Sequence, residues 1–270
     1  MTGTGTQSDP FVPVTLTEFI EAVGSSGAYV ALDRDIYAAE DPAYTGELTA
    51  PVGFAATRVD GNGHFVCGVT VRARYMIQKA TASAACSVYD LFFKDWGHKK
   101  TTGSSASIMG HAQGWIGLSG CTFSVSAGCQ GFDTRLIEYA SVSDCAFRLK
   151  VLGGATNGRD LVTSVFTRST IVVDGNCGVY NTSLTRSALI VQRASIDAGF
   201  PRSSASYSYI AYTDTDSALT SMNINLSSAA GCLFYCDDDA VTASLPSGMT
   251  RATLAQLMDE AWLASVGFLP

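Results

Sequence analysis

The residues of this chain whose types suit chemistry are its carboxylates: Asp133, Glu138, Asp144, Asp160, Asp174 and Asp197, then the run Asp237-Asp238-Asp239. Two carboxylates about 5–9 Å apart across an extended sugar can cleave a glycosidic bond. A lyase adds a basic group to stabilise the developing negative charge. Spacing argues against such a set here. Cys121-Thr122-Phe123 returns 24 residues later as Cys145-Ala146-Phe147, but the position of Asp144 is held by Gly120 in the earlier copy. In a second, closer repeat no acid recurs at all. No catalytic residue is assigned.

That second repeat pairs Phe166-Thr167-Arg168-Ser169-Thr170-Ile171-Val172-Val173 with Leu184-Thr185-Arg186-Ser187-Ala188-Leu189-Ile190-Val191, 18 residues on. Its recurring charge is basic. If the period is structural, Arg168 and Arg186 stack, and like charges so placed turn outward to water or to acids. A solvated ladder, pairing with a neighbouring chain and binding of an anionic receptor all satisfy this pattern. A second candidate surface is Ser206-Tyr207-Ser208-Tyr209-Ile210-Ala211-Tyr212. Tyrosine gives a rigid contact area with a polar tip, and serine gives adaptable hydrogen bonds. The candidate binding residues are therefore Arg168, Arg186, Tyr207, Tyr209 and Tyr212. A plain alternating strand, with Tyr207, Tyr209 and Ala211 on one face, accounts for the same residues.

Other chemistries are weaker. The eight cysteines include Cys67, Cys121 and Cys145 at alternating apolar positions of strand-like segments, where a thiol packs as a small hydrophobe. Cys232 and Cys236 have no nearby histidine to complete a metal site. The acidic run at 237–239 and Asp60-Gly61-Asn62-Gly63 each offer oxygens to a cation, but turn geometry explains both. His64, His98 and His111 are scattered. No metal or cofactor is expected.

The elements that position these residues follow from the repeats. Short β-rich segments recurring near every 20 residues predict a solenoid whose rungs hide their apolar sides by stacking. A helix is predicted after Thr15 and Glu18, a capping box, with Leu16, Phe19, Ile20 and Val23 on one face and Gly24 at its end. A strand follows near 28–32, then a loose acidic stretch from 34 to 54. Rungs are expected over 55–245. Thr253 and Gln256 open a C-terminal helix, with Leu254, Leu257, Met258, Ala261 and Trp262 on its apolar face. It serves as a solenoid cap or as an assembly contact.

Among 270 residues, 47% are hydrophobic and 15% charged, and the net charge is −7. That balance argues against a phosphate-neutralising surface, so no nucleic-acid partner is expected. No basic region followed by an apolar stretch opens the chain, so no secretory signal is expected. No segment approaches the roughly 18 apolar residues of a membrane span.

Three pieces carry a resemblance. Gly3-Thr4-Gly5-Thr6 with Asp9-Pro10-Phe11 and a short helix resembles the start of right-handed parallel β-helix modules in bacterial and prophage proteins. Val59-Asp60-Gly61-Asn62-Gly63-His64 resembles their early rung. Thr253-Leu254-Ala255-Gln256 with Ala261-Trp262-Leu263-Ala264-Ser265-Val266-Gly267-Phe268 resembles the tail of small proteins from prophage structural operons. The resemblance implies an all-β, pectate-lyase-like, single-stranded right-handed parallel β-helix with short terminal capping helices. The expected organisation is one domain over 1–270: lead-in and cap at 1–33, rungs at 55–245, helix at 250–270. It further implies a homotrimeric phage virion component assembled in the host cytoplasm beside other virion proteins. A tail spike, fibre or receptor-binding appendage adhering to a host-surface glycan is the leading expectation. A carbohydrate-active depolymerase and a capsid decoration or head-fibre protein are the alternatives.

Overall fold

The computed structural model describes residues 1–80, 86–99, 106–111, 115–128, 134–152, 161–194, 199–215 and 219–266. Within them the chain is mostly β, and its strands associate in parallel sheets. This arrangement is compatible with an all-β parallel solenoid and excludes a helical bundle.

Three sheets hold nearly all the strands. The first has nine, from Tyr29–Ala31 to Ser228–Ala230; the second has eleven, from Ile36–Tyr37 to Met249–Arg251; the third has six, from Val52–Phe54 to Val179–Tyr180. A two-stranded sheet pairs Ser221–Asn223 with Thr242–Ser244. From Tyr75–Lys79 to Ala188–Gln192 the chain visits the third, first and second sheets in the same cyclic order. Each circuit thus lays one strand beside its counterpart in the circuit before.

The sequence repeats report this register. Phe166 lies opposite Leu184 and Thr167 opposite Thr185, while Ile171 and Val173 lie opposite Leu189 and Val191. Phe123 likewise faces Phe147. In the first sheet Leu118, Val142, Phe166, Leu184, Ala205 and Ala229 succeed one another, so the steps are 24, 24, 18, 21 and 24 residues. The varying connections hide the repeat from a fixed-period search.

Alternation sends every second side chain inward. The inward row of the second sheet runs Phe93, Phe123, Phe147, Ile171, Leu189, Ile210 and Phe234, all buried. Its first three rings stack nearly parallel, with centroids 4.4 and 4.7 Å apart. Every cysteine among the described residues is a free thiol, and all but the half-buried Cys67 are buried; Cys129 lies outside those residues.

The N-terminal helix spans Leu16–Gly24, and Thr15 caps it by accepting from the Glu18 amide at 3.2 Å. The Glu18 carboxylate also accepts from the Val14 amide at 2.8 Å and from the Met1 ammonium. The stretch 34–54, read as loose from sequence, contributes Ile36–Tyr37 to the second sheet and Val52–Phe54 to the third. Parallel pairing is therefore in place ahead of residue 55, with Phe11 bridging to Val30 and Tyr29–Ala31 lying beside Arg58–Asp60. Strands of two or three residues are too short to display alternation.

The C-terminal segment also departs from expectation. One helix was predicted; two short ones form, Leu254–Leu257 and Glu260–Ser265. The Thr253–Gln256 capping box is complete. Asp259 then caps a second helix by accepting from the amides of Ala261 and Trp262, which breaks the run. Neither helix buries a residue. No helix among the described residues is long and apolar enough to cross a membrane.

Candidate functional site

Two bends recur among the described circuits. One, ahead of the first-sheet strands, holds Tyr139, Thr163, Asn181 and Arg202 in a left-handed conformation; the other builds the site. There, from the strand Cys86–Tyr89 onward, a single residue per circuit between the first and second sheets is left-handed: Asp90, Gly120, Asp144, Arg168, Arg186, Tyr207 and Gly231, with φ between 45° and 66°. Left-handed backbone costs an ordinary L-residue roughly 1–2 kcal/mol. Two devices offset it. Each bend amide donates to a carbonyl of the next circuit, as Arg168 does to Thr185 at 2.9 Å and Arg186 to Ser206 at 2.9 Å. The residue after the bend turns inward, and from the second of these bends on it is a cysteine or a serine, Cys121, Cys145, Ser169, Ser187, Ser208 and Cys232, which form a ladder.

In that ladder the amides of Cys145, Ser169 and Ser187 donate to the Oγ atoms of Ser169, Ser187 and Ser208, each at 3.2 Å. Each hydroxyl in turn donates to the carbonyl two residues before it, at 2.8–2.9 Å. The buried amides of Cys145, Ser169 and Ser187 are thereby satisfied, which is what a tight internal corner demands.

The bend residues themselves point out, in a column whose members sit about 4.8 Å apart. Glycine is required where a neighbour leans over. A Cβ on Gly120 would meet Asp90 Oδ1 at 2.0 Å, and one on Gly231 would meet the Tyr207 ring at 2.9 Å. Tyr207 therefore lies across the next circuit, with half its surface exposed.

The structure places four of the five sequence-predicted binding residues on one groove. Arg168, Arg186, Tyr207 and Tyr209 line its wall side. The opposite side comes from the C-terminal helices, through Leu254, Leu257, Met258 and Leu263. The groove encloses about 800 Å³, within the range of small-molecule sites. Leu254 and Met258 remain 61% and 79% exposed. These helices therefore lie beside the circuits of Arg168, Arg186 and Tyr207. Sequence showed their apolar face; nothing in it placed that face beside the arginine column.

Charge within the column is uneven. Arg168 reaches back one circuit to Asp144 in a two-pronged pair, Nε to Oδ1 and Nη2 to Oδ2, both 2.7 Å. The Arg168 guanidinium holds the Asp144 carboxyl below the usual range, and the carboxylate raises the arginine in return. The expected ladder of two like charges is thus relieved by an acid of the same chain. Arg186 has no ion-pair partner among the described residues. No acid lines the groove among the described residues.

Tyr209 is half-buried, and burial, with the nearby Tyr235 adding to it, pushes its phenol up to about 12. It therefore stays a neutral hydrogen-bonding group across physiological pH. Tyr212 does not join the groove. It is 1% exposed and lies opposite Val191 and Cys236 on the inward row. Counting by twos from Tyr207 explains this: 207 and 209 share the outward row, joined by Ala211, which its neighbours cover, and 212 lies on the inward row.

The carboxylates are dispersed. Asp144 sits at the first bend on Arg168, while Asp174 ends the strand Thr170–Asp174 and pairs with Arg193. The row of Asp144 meets that circuit at Arg168, so the two acids are separated by about 15–20 Å along the strand. That is too far for a cleaving pair. Glu138 is buried in the third sheet. Asp237 accepts from the Asp214 amide and the Thr215 hydroxyl, and Asp238 from the Ala240 amide, as turn residues do. Asp133, Asp160 and Asp197 lie outside the described residues. Among those described, no three of His, Cys, Asp and Glu gather as metal ligands. His64 meets Asp35 at 3.2 Å, whereas His98 is buried in the stack.

No protein-family model matches the chain, and no curated protein matches it either.

Proposed function

We propose that this chain is a right-handed parallel β-helix of the phage or prophage virion type, acting as an adhesive appendage rather than as an enzyme. The cyclic order of the sheets supports the coil, and the terminal motifs support the virion setting. The observation that carries adhesion is the groove. A fixed column presents Arg186, Tyr207 and Tyr209 beside an apolar wall, while the candidate carboxylates are dispersed. Such a site holds a ligand without acting on it.

In this reading the protein is a homotrimer, docked at one end onto other virion proteins, and it meets a host-surface glycan or a related envelope molecule through its flank. The test is to pass host-envelope polysaccharide over the immobilised protein and record both retention and chain length. Retention at unchanged length supports adhesion. Shortened product would instead establish the depolymerase, and binding only to capsid shell would establish a decoration protein. The mass of the purified protein in solution tests the trimer.

A further inference from the structure

The groove has a more specific chemical signature than adhesion requires, and the geometry points to an anionic amphiphile as its ligand: one acidic head on an unbranched apolar chain. This rests on the reading that the groove is a binding site, and it names what that site takes.

The lining divides into two zones. Leu254, Leu257, Met258 and Leu263 offer a continuous aliphatic side on two short helices that bury nothing in their own chain. Exposed apolar surface of this kind marks a place where something apolar belongs, and methionine adapts readily to an irregular guest. The opposite side is polar, with Arg168, Ser169, Arg186, Ser187, Tyr207 and Tyr209 from three successive circuits, and its charge stands on the two arginines. There Arg168 is already engaged by Asp144, so its charge is offset. Arg186, one circuit further, lines the same cavity without an ion-pair partner among the described residues.

A chain of net charge −7 repels anions over most of its surface. An acid-free groove holding an uncompensated guanidinium is a local exception, and a carboxylate or phosphate monoester fits a guanidinium fork with two parallel hydrogen bonds. Tyr207 follows Arg186 in the bend column, and Tyr209 lies opposite Ala188 on the next circuit, so both offer phenol donors beside the head. A wholly polar sugar would leave the helix side unpaired and wet. A wholly apolar ligand would bury the guanidinium uncompensated, which is costly. An amphipathic anion satisfies both zones.

Calorimetric titration of the intact protein with dodecanoate tests this, with dodecanamide, acetate and a uronic-acid oligosaccharide in parallel. Dodecanoate should bind, dodecanamide should bind at least about tenfold more weakly, equivalent to about 1.4 kcal/mol, and acetate should not register. Arg186→Gln should remove the preference for the acid over the amide. Met258→Asp should abolish binding with the melting temperature unchanged. Arg202→Gln, at the other bend, should alter nothing. Equal binding of dodecanoate and its amide, or of dodecanoate and acetate, overturns the inference. Arg186-dependent binding of the oligosaccharide without dodecanoate overturns it too, while leaving adhesion intact. Conversely, dodecanoate binding with host-surface retention indifferent to Arg186→Gln supports the amphiphile site and removes the adhesive role.

Discussion

The stacked wall and the C-terminal helices use apolar residues in opposite ways. In the wall, Phe93, Phe123, Phe147 and their successors vanish into a continuous interior, and even the amides at the bends are hydrogen-bonded. In the helices, a comparable set of leucines and a methionine faces a groove and solvent. Stability should therefore reside in the wall, and the helices should be free to change without cost to the fold. Four experiments press on that difference.

The largest effect is expected at Phe147, stacked on Phe123 at 4.7 Å and meeting Phe166 edge-on at 6.0 Å. Phe147→Ala opens a cavity between circuits and should cost about 3–5 kcal/mol. Chemical denaturation measures it. A loss below about 1 kcal/mol would mean that the wall is less tightly stacked than its geometry.

Next comes the bend ladder. Ser187→Ala removes the acceptor of the Ser169 amide and the donor to Thr185, both inside the bend. The orphaned amide should cost about 1–3 kcal/mol. Ser203→Ala tests the other bend, where Thr182 donates its amide to Ser203 Oγ at 3.2 Å. Similar losses at the two positions would establish that both bends are built on one device. A negligible loss at Ser187 alone would mean that the groove bend is held by something else.

The way these features read in sequence follows the same division. The 18-residue repeat survives because the circuit from 166 to 184 carries no insertion, so register and inward alternation were both legible there. The bends were not, because left-handed positions are usually signalled by glycine or asparagine, and here arginine, aspartate and tyrosine fill five of the seven at the site. Arg168, Arg186, Tyr207 and Tyr209 were identifiable as one-sided candidates from period and residue type. Their convergence was not, since it depends on Leu254 and Met258 folding back beside circuits many residues earlier. Tyr212 shows that residue type without parity misleads: Tyr207 and Tyr209 face out, and it does not. In the C-terminal segment the apolar periodicity hid the break at Asp259, which reads as an ordinary helix residue until its capping bonds are seen.

A third experiment uses pH. His98 is buried in the second sheet, with its Nε2 hydrogen-bonded to the Ala73 carbonyl at 2.9 Å and its Nδ1 without a partner among the described residues. Burial lowers its pKa, and the Ala73 carbonyl opposes that only in part. The unfolded chain therefore binds a proton more readily than the folded one. Stability is full above the unfolded value of about 6.5 and falls as pH drops through the lower folded value. Melting temperatures from pH 7.5 to pH 5 should decline, and His98→Leu should flatten that part of the curve. An unchanged slope in the variant would assign the decline to the carboxylates.

The smallest effect on stability is the sharpest statement of the contrast. Leu254→Ala combined with Met258→Ala removes two large side chains that are mostly exposed, and surface changes of this kind stay within about 0.5 kcal/mol. The melting temperature should hold while dodecanoate binding in the groove is lost. If instead the protein melts several degrees earlier, the helices are structural caps that the fold needs, and the division between a stabilising wall and a free functional flank fails.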